Sequence, residues 1–167
     1  MRRYGGGGGE GGGGVFGGIR VGAYQWGGEG QEGFKKAVVG VSMGRSYNSA
    51  RALGLARWSL ELALEYSTTR RTFGKAISEY QGVTFPLAES AMELHAAHLL
   101  GPNPALLLDR GVAAIKALSM STAYAVEAGV RAIVWDIQTH RALRLTNDVG
   151  LTDAYTLVWL VYVSYVH

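Results

Sequence analysis

Apolar residues that recur at intervals of three and four constrain this chain more than any other feature. The clearest series consists of Leu53, Ala56, Leu60, Ala63 and Leu64. This spacing places the side chains on one face of an α-helix. A second apolar stripe on the same segment consists of Leu55, Trp58 and Leu62. Because a helix with two apolar sides packs on two sides, the segment is typical of a bundle interior or an oligomer core.

A second helix is predicted from its boundary signals. Ser78 and Gln81 have the spacing of a capping box, in which the two side chains satisfy backbone donors reciprocally, so the helix is predicted to begin at Ser78. Its predicted course runs through Phe85, Ala88, Ala91, Met92, His95 and Leu99. Pro102 and Pro104 then interrupt the helix, because proline lacks the backbone donor and clashes with the preceding turn.

A third helix is predicted to run from about Ala113 to His140, after Gly111 has capped a short apolar segment. Beyond it, Asp148 to Asp153 has the composition of a loop. The apolar tail from Ala154 to Val166 suits a strand or a buried helix, and it is too short to span a membrane, which takes about 20 residues. Residues 34–167 are therefore predicted to form an all-α, four-helix-bundle-like domain.

The first 33 residues differ sharply in composition from the rest. Gly5 to Gly14 is almost pure glycine, which loses the most backbone entropy on ordering, so we expect a flexible lead-in. No Gly-Lys-Ser/Thr signature follows it, as a phosphate loop would require. The stretch from Gly18 to Val21 is predicted as a single strand, which needs partners to be stable.

Charge and cysteine content argue against several classes of function. The formal net charge is +3, and the 16 Lys and Arg residues form no dense basic stripe, which argues against nucleic-acid binding. The absence of cysteine removes disulfides, thiolate zinc sites and a cysteine nucleophile, and it fits a reducing compartment. The N-terminus lacks the apolar core of a signal peptide. We therefore expect a cytoplasmic protein that does not associate with membranes.

Few side chains form a pattern that supports metal binding or hydrolysis. His95 and His98 lie about one helical turn apart beside Glu93, but no third ligand has the helical spacing that a metal site needs. No Gly-x-Ser-x-Gly elbow occurs, so we discard a hydrolytic triad. Asp136 and Glu127 are single carboxylates on a predicted helix and are expected to face solvent.

The segment from Arg70 to Lys75 is the sharpest functional signal. It brings two guanidinium groups, an ammonium group, a hydroxyl and an aromatic ring to the start of the second predicted helix. Helix N-termini attract anions through unpaired N–H groups and the macrodipole, and arginine binds phosphate oxygens in a bidentate manner. An aromatic ring can cover an adenine or flavin face. The segment is therefore either a site for a phosphate-bearing ligand or a solvated basic turn.

The order and spacing of several motifs resemble one protein family. The motifs are Gly33-Phe34, Gly44-Arg45, Ala52-Leu53-Gly54-Leu55-Ala56, Glu65-Tyr66, Arg70-x-Thr72-Phe73-Gly74-Lys75, Gln81, Phe85 and Leu87-Ala88. In this arrangement the chain resembles the C-terminal helical domain of the acyl-CoA dehydrogenases. The resemblance extends from about Ile19 to Asp153 and needs no gap between Arg45 and Gln138. It makes residues 1–33 a glycine-rich lead-in that ends in a remnant of the family's β-domain.

The resemblance implies a reaction, a cofactor and a quaternary structure. Family members catalyse α,β-dehydrogenation of acyl-CoA thioesters, with FAD taking the hydride. Their bundles pack into dimers and tetramers, and the Arg-x-Thr-Phe-Gly turn of one subunit contacts the FAD of its neighbour, so a homodimer or homotetramer is expected. Arg45 is similar to an arginine close to the active site, where acyl-CoA binds. The FAD contacts implied by the resemblance are Arg70, Thr72, Phe73, Gln81 and Gln138.

Several positions depart from the family pattern. No Glu follows Glu127, and Gly44 occupies the alternative position of the catalytic base, so no carboxylate is left for α-proton abstraction at either of the family's two positions. The family's N-terminal helical domain and most of its β-domain have no counterpart in these residues. We therefore expect an enzyme that is impaired or inactive as this chain alone; the alternative is a helical interaction module without a cofactor. In place of the family's Gly-Gly-x-Gly turn stand Arg141, Ala142 and Arg144.

Overall fold

The computed structural model describes Gly18, Arg20, Gly22 and residues 33–140 and 150–166. The described residues form five α-helices and one small antiparallel sheet, which confirms the predicted all-α bundle. The glycine-rich lead-in and most of the strand predicted at Gly18 to Val21 lie outside the described residues. The helices are α1 (Gly33–Thr69), α2 (Gln81–Leu100), α3 (Pro102–Asp109), α4 (Ile115–His140) and α5 (Leu151–Val166).

Small residues line the contact between α1 and α4, which we call the α1–α4 seam. Alanine and glycine side chains let two helices approach closely, because helix separation depends on the side chains at the contact. At Gly129 a Cβ atom would lie 3.4 Å from the carbonyl oxygen of Ala52. Helices α2 and α5 also pack against α4 and complete the core. The alanines of the seam are Ala52, Ala56, Ala63, Ala128 and Ala132.

The two apolar stripes predicted on α1 are buried to different degrees. Leu60 of the first stripe belongs to the core, whereas Leu64 is exposed. In the second stripe Leu55 and Leu62 are half-buried and Trp58 is exposed. The core therefore covers Ala56, Leu60 and Ala63 of the first stripe, and it covers the second stripe only in part.

The predicted start of α2 is wrong by one turn. Ser78 lies in a short 3-10 turn, Ile77–Glu79, and α2 begins at Gln81 after Tyr80. The Ser78 carbonyl oxygen accepts a hydrogen bond of 2.8 Å from the Thr84 hydroxyl. No side chain caps α2, so the Ser78–Gln81 capping box does not form. The tight turn takes up the residues that the sequence pattern assigned to the first helical turn.

The face of α2 that enters the core differs from the series predicted along it. Leu87, Ser90, Leu94 and Ala97 are buried. The predicted series instead lies on the outside, and its members Met92 and Leu99 are each 65% exposed. Phe85 is exposed as well. An apolar stripe at seven-residue spacing therefore lies on the surface of α2.

The prolines after α2 start a new helix with almost no loop. Gly101 has right-handed helical angles, and Pro102 occupies the first turn of α3, where a missing donor costs nothing. At the other end of α3, Gly111 has a φ of +69° and its N–H donates to the Leu108 carbonyl at 2.9 Å. The Val112 N–H reaches the Leu107 carbonyl at 2.9 Å. These two bonds are a Schellman motif and confirm the predicted glycine cap.

The apolar tail is a helix and not a strand. Helix α5 begins at Leu151, so the loop predicted to extend to Asp153 is wrong over its last residues. Gly150, with a φ of +67°, supplies the left-handed position just before the helix. None of the helices in the described ranges is both long and apolar enough to cross a bilayer.

Candidate functional site

The segment after α1 folds into a tight hairpin, which we call the basic hairpin. Strands β1 (Arg71–Thr72) and β2 (Lys75–Ala76) pair antiparallel, with Thr72 opposite Lys75. The two residues between them, Phe73 and Gly74, have φ angles of +52° and +86°. Positive φ at both central residues is the requirement of a type I′ hairpin turn. Glycine meets it without strain, whereas a bulky residue such as phenylalanine does so only at a conformational cost.

Contacts with the following turn hold the basic hairpin in place. The Ile77 N–H donates to the Arg70 carbonyl at 2.9 Å, and the Tyr80 hydroxyl donates to the Thr72 carbonyl at 3.0 Å. The Lys75 ammonium lies 4.0 Å from the centre of the Tyr80 ring, within the range of a cation–π contact. This scaffold leaves the Phe73 side chain 94% exposed at the tip.

The arginines of the basic hairpin face solvent. Arg70 and Arg71 are exposed, and neither forms an ion pair within the described residues. The neighbouring carboxylate of Glu79 accepts the Ala76 N–H at 3.0 Å instead. The basic hairpin therefore carries two exposed guanidinium groups and an exposed ring, and guanidinium groups bind anions such as phosphate.

The start of α2 and the end of α4 face each other across a cleft of about 190 Å³. Gln138 lines this cleft, opposite Gly82, while Gln81 is exposed beside it as the first residue of α2. The structure therefore places Gln138 next to the segment that follows the basic hairpin. Residues 141–149, with Arg141, Ala142 and Arg144 among them, lie outside the described residues.

Arg45 lies far from the basic hairpin. Its side chain is exposed on α1, and its carbonyl accepts hydrogen bonds from Ser49 and Thr122 at 2.9 and 3.3 Å. At a rise of 1.5 Å per residue, the helix separates Arg45 from Thr69 by about 36 Å. One copy of the chain therefore does not bring Arg45 to the residues expected to contact FAD.

The two histidines of α2 line a different cleft, of about 310 Å³, between α1 and α2. His95 and His98 share it with Arg57 and Glu61. Nowhere in the described ranges do three or more His, Asp or Glu side chains converge as metal ligands would. The cleft has an apolar floor of leucines under a charged rim.

The prediction that Asp136 faces solvent is wrong. Asp136 is completely buried, whereas Glu127 is exposed, as expected, 3.7 Å from Arg131. A signal for burial was present in the sequence, because Ala128, Ala132, Asp136 and His140 follow one another at four-residue spacing on one face of α4. The prediction followed instead the general tendency of single carboxylates to face water.

Comparison with known proteins identifies what the chain is similar to. Residues 31–156 match the family described as acyl-CoA dehydrogenase, C-terminal domain. The chain is 32% identical over 128 residues to 3-(aryl)acrylate reductase of Clostridium sporogenes, covering 77% of this chain and 34% of the relative. It is 34% identical over 123 residues to the mitochondrial short/branched chain specific acyl-CoA dehydrogenase of Rattus norvegicus, covering 74% of this chain and 27% of the relative.

Solved structures give the same picture. The fold matches butyryl-CoA dehydrogenase from Megasphaera elsdenii with a TM-score of 0.79 and 25% identity, covering 83% of this chain and 36% of the other. The chain thus spans about a third of the length of these proteins. The matched range contains every residue of the candidate site.

Proposed function

The chain belongs to the acyl-CoA dehydrogenase family, as a C-terminal helical domain, and on this premise we propose that its basic hairpin binds the nucleotide half of an FAD. In this proposal Arg70 contacts the pyrophosphate, and Phe73 and Thr72 lie on the adenine side. Gln81 and Gln138 hydrogen-bond to the cofactor from the adjoining helix ends. The flavin ring itself, which accepts the hydride in this family, is held by parts of the fold beyond the bundle.

The strained and exposed tip of the basic hairpin is the observation that carries this proposal. Phe73 has a φ of +52° and almost no protein contact, so neither packing nor backbone preference explains its presence. Strained residues of this kind cluster at ligand sites, where the surrounding structure fixes them. A ring at the tip, flanked by two unpaired guanidinium groups, matches a ligand that carries a base and phosphates.

We further propose that the chain acts as a homodimer or homotetramer. Arg45 and the basic hairpin are about 36 Å apart along α1, so they serve two different active centres. A neighbouring subunit brings a hairpin to each centre. The exposed stripe of Phe85, Met92 and Leu99 supports association, because seven-residue apolar spacing is typical of helix pairing between chains.

The chain by itself is proposed to be impaired or inactive in dehydrogenation. Removal of the α-proton needs a base, and the two positions that this family uses for it lack the glutamate: Gly44 occupies one, and no Glu follows Glu127 towards the other. The contribution of this chain is therefore to bind and orient: Arg45 near the thioester, the hairpin on the nucleotide. Acyl-CoA-dependent reduction of an electron acceptor by the purified chain would overturn this part of the proposal.

The experiment is a titration of FAD into the purified chain, followed by flavin fluorescence. Replacing both Arg70 and Arg71 by Ala should weaken binding at least about tenfold, since each charge-assisted hydrogen bond contributes roughly 1.5–3 kcal/mol. Arg110→Ala is the matched control, because Arg110 is an exposed arginine at the C-terminal end of α3. Equal affinity in the double variant and the wild type contradicts the proposed site.

The second candidate function is a helical interaction module without a cofactor, which the exposed α2 stripe also favours. The same samples decide between the two. A chain that forms a stable oligomer by light scattering but remains colourless, with no change of flavin fluorescence, is an interaction module. An oligomer that binds FAD through the basic hairpin supports the first proposal.

A further inference from the structure

A polar pair lies inside the apolar α1–α4 seam. Ser59 of α1 and Asp136 of α4 are both 0% exposed, and the Ser59 hydroxyl and Asp136 Oδ2 are joined by a hydrogen bond. The other carboxyl oxygen of Asp136 is buried without a hydrogen-bond partner in the described residues. Burying an ionised carboxylate with so few partners is strongly unfavourable.

The oxygens around Ser59 allow a simple count of protons. Ser59 Oγ also lies 3.0 Å from the Ala56 carbonyl oxygen, which can only accept. A hydroxyl carries one proton. When that proton goes to Ala56, the bond to Asp136 requires a proton on the carboxyl group. The chain Asp136 to Ser59 to Ala56 is then complete, and the remaining oxygen of Asp136 is the carbonyl oxygen of a neutral acid.

Among the described residues, no cationic side chain forms an ion pair with Asp136. The half-buried ionisable side chains in the described part of α1 are Arg51, more than two turns before Ser59, and Tyr66, whose ring stacks on His140 of α4 at 4.7 Å. The His140 Nδ1 hydrogen-bonds to the Asp136 backbone carbonyl at 2.8 Å, so that nitrogen donates. The buried residues of α2, α3 and the described part of α5 include no ionisable group. The outer groups on these helices are Glu89, Glu93, His95, His98, Asp109, Asp153, Tyr155 and Tyr162.

We propose that the buried Ser59–Asp136 pair is a pH-sensitive latch between α1 and α4: the two helices pack tightly while Asp136 carries a proton, and their packing weakens when Asp136 ionises inside the seam. Because the bond joins the two most extensively packed helices, ionisation places a charge at the centre of the bundle. Water or a shift of α4 must then solvate that charge. The latch does not depend on FAD and stands whether or not the basic hairpin binds it.

The direction of the pH effect follows from burial. Burial raises the pKa of Asp136 from 3.8 to about 7, and the Ser59 hydrogen bond opposes that rise. The folded-state pKa therefore lies above the unfolded value. The contribution of the protonated pair to stability is fully present below about pH 4, and it is lost as the pH rises towards about 7, where the folded protein itself releases the proton.

The test measures chemical unfolding of the full chain between pH 4 and 8 for the wild type and Asp136→Asn. Asparagine keeps the shape and can donate to Ser59, but it does not titrate. From pH 4 to 7 the folding constant of the wild type, divided by that of the variant, should fall by up to about tenfold per pH unit. Glu127→Gln, an exposed carboxylate change on the same helix, should leave the ratio nearly constant.

A second measurement follows the Asp136 proton directly in the wild-type chain, so it gives a result even when the Asp136→Asn variant does not fold. The side-chain carboxyl carbon of Asp136, followed by NMR in wild-type chain with labelled aspartate, should titrate near neutral pH. Removal of the Ser59 hydroxyl in Ser59→Ala should move the Asp136 midpoint upward. An Asp136 midpoint below pH 5, or a wild-type to Asp136→Asn ratio that stays constant with pH, overturns the proposal.

Discussion

In the basic hairpin an aromatic ring and two guanidinium groups face solvent, whereas in the α1–α4 seam a carboxyl group is fully buried. Both regions depart from the usual distribution of side chains, in which aromatic rings are buried and carboxyl groups are exposed. In the hairpin the exposed ring lies where a large ligand can reach it. In the seam the buried carboxyl group lies where only a proton or a water molecule can reach it. The burial of each region therefore determines the size of the ligand that it can bind.

The largest expected effect comes from opening the seam. Ile133 is fully buried next to Ala132, so Ile133→Ala removes apolar contacts and leaves a cavity that the closely packed helices cannot close. We expect a loss of roughly 2–5 kcal/mol in the free energy of unfolding. Urea denaturation measures it. Val134→Ala is the matched control on the exposed side of α4 and should change stability by less than about 0.5 kcal/mol.

A smaller effect with opposite signs on stability and binding is expected at the hairpin tip. Phe73→Gly relieves a left-handed conformation that costs roughly 1–2 kcal/mol, but glycine gains unfolded-state entropy worth about 0.5–1 kcal/mol. The net result should be a gain of about 0.5 kcal/mol in stability. FAD affinity should fall about fivefold or more, because stacking on the ring is lost. Tighter FAD binding by this variant would show that the ring has no role in the site.

The smallest effect is expected at an exposed polar contact that also joins two helices. Arg131 of α4 donates to the Glu93 carboxylate of α2 at 3.0 Å, with both side chains partly in solvent. Arg131→Ala should cost at most about 1 kcal/mol, and less at high salt. Thermal unfolding at two ionic strengths measures this. A larger loss of stability that does not depend on salt would show that this pair behaves as a buried contact, like the Ser59–Asp136 bond, and not as a surface ion pair.

The sequence predicts helix existence better than helix orientation. The period of three and four located α1, and glycine and proline located the boundary between α2 and α3. The third predicted helix, from about Ala113 to His140, agrees with α4. The family resemblance, stated from the Arg70 to Gln81 motif and its neighbours, is confirmed by the match over residues 31–156. The helices, their boundaries and the motif each depend on residues that are close together in the sequence, so the sequence alone is enough to predict them.

What the sequence did not predict depends on neighbours distant along the chain. The buried face of α2 was missed because alanine and leucine occur on both of its sides, and only packing on α4 selects one. The Ser78 capping box failed because the hairpin and its 3-10 turn take up those residues. Asp136 was misplaced because Ser59, its partner, lies 77 residues away. The roles of Arg45, Gln81 and Gln138 in binding stay predictions.

The two-residue turn of the basic hairpin has a consequence for how this segment can vary in length. With Thr72 paired to Lys75, successive side chains alternate between the two faces of the ribbon. One residue added or removed at the tip would slip the register and exchange those faces. The side chains of Arg71 and Thr72 would then exchange faces of the ribbon, and the Tyr80 hydroxyl would lose the Thr72 carbonyl as its acceptor. Insertions and deletions are thus far more disruptive here than substitutions, although the segment is a surface turn.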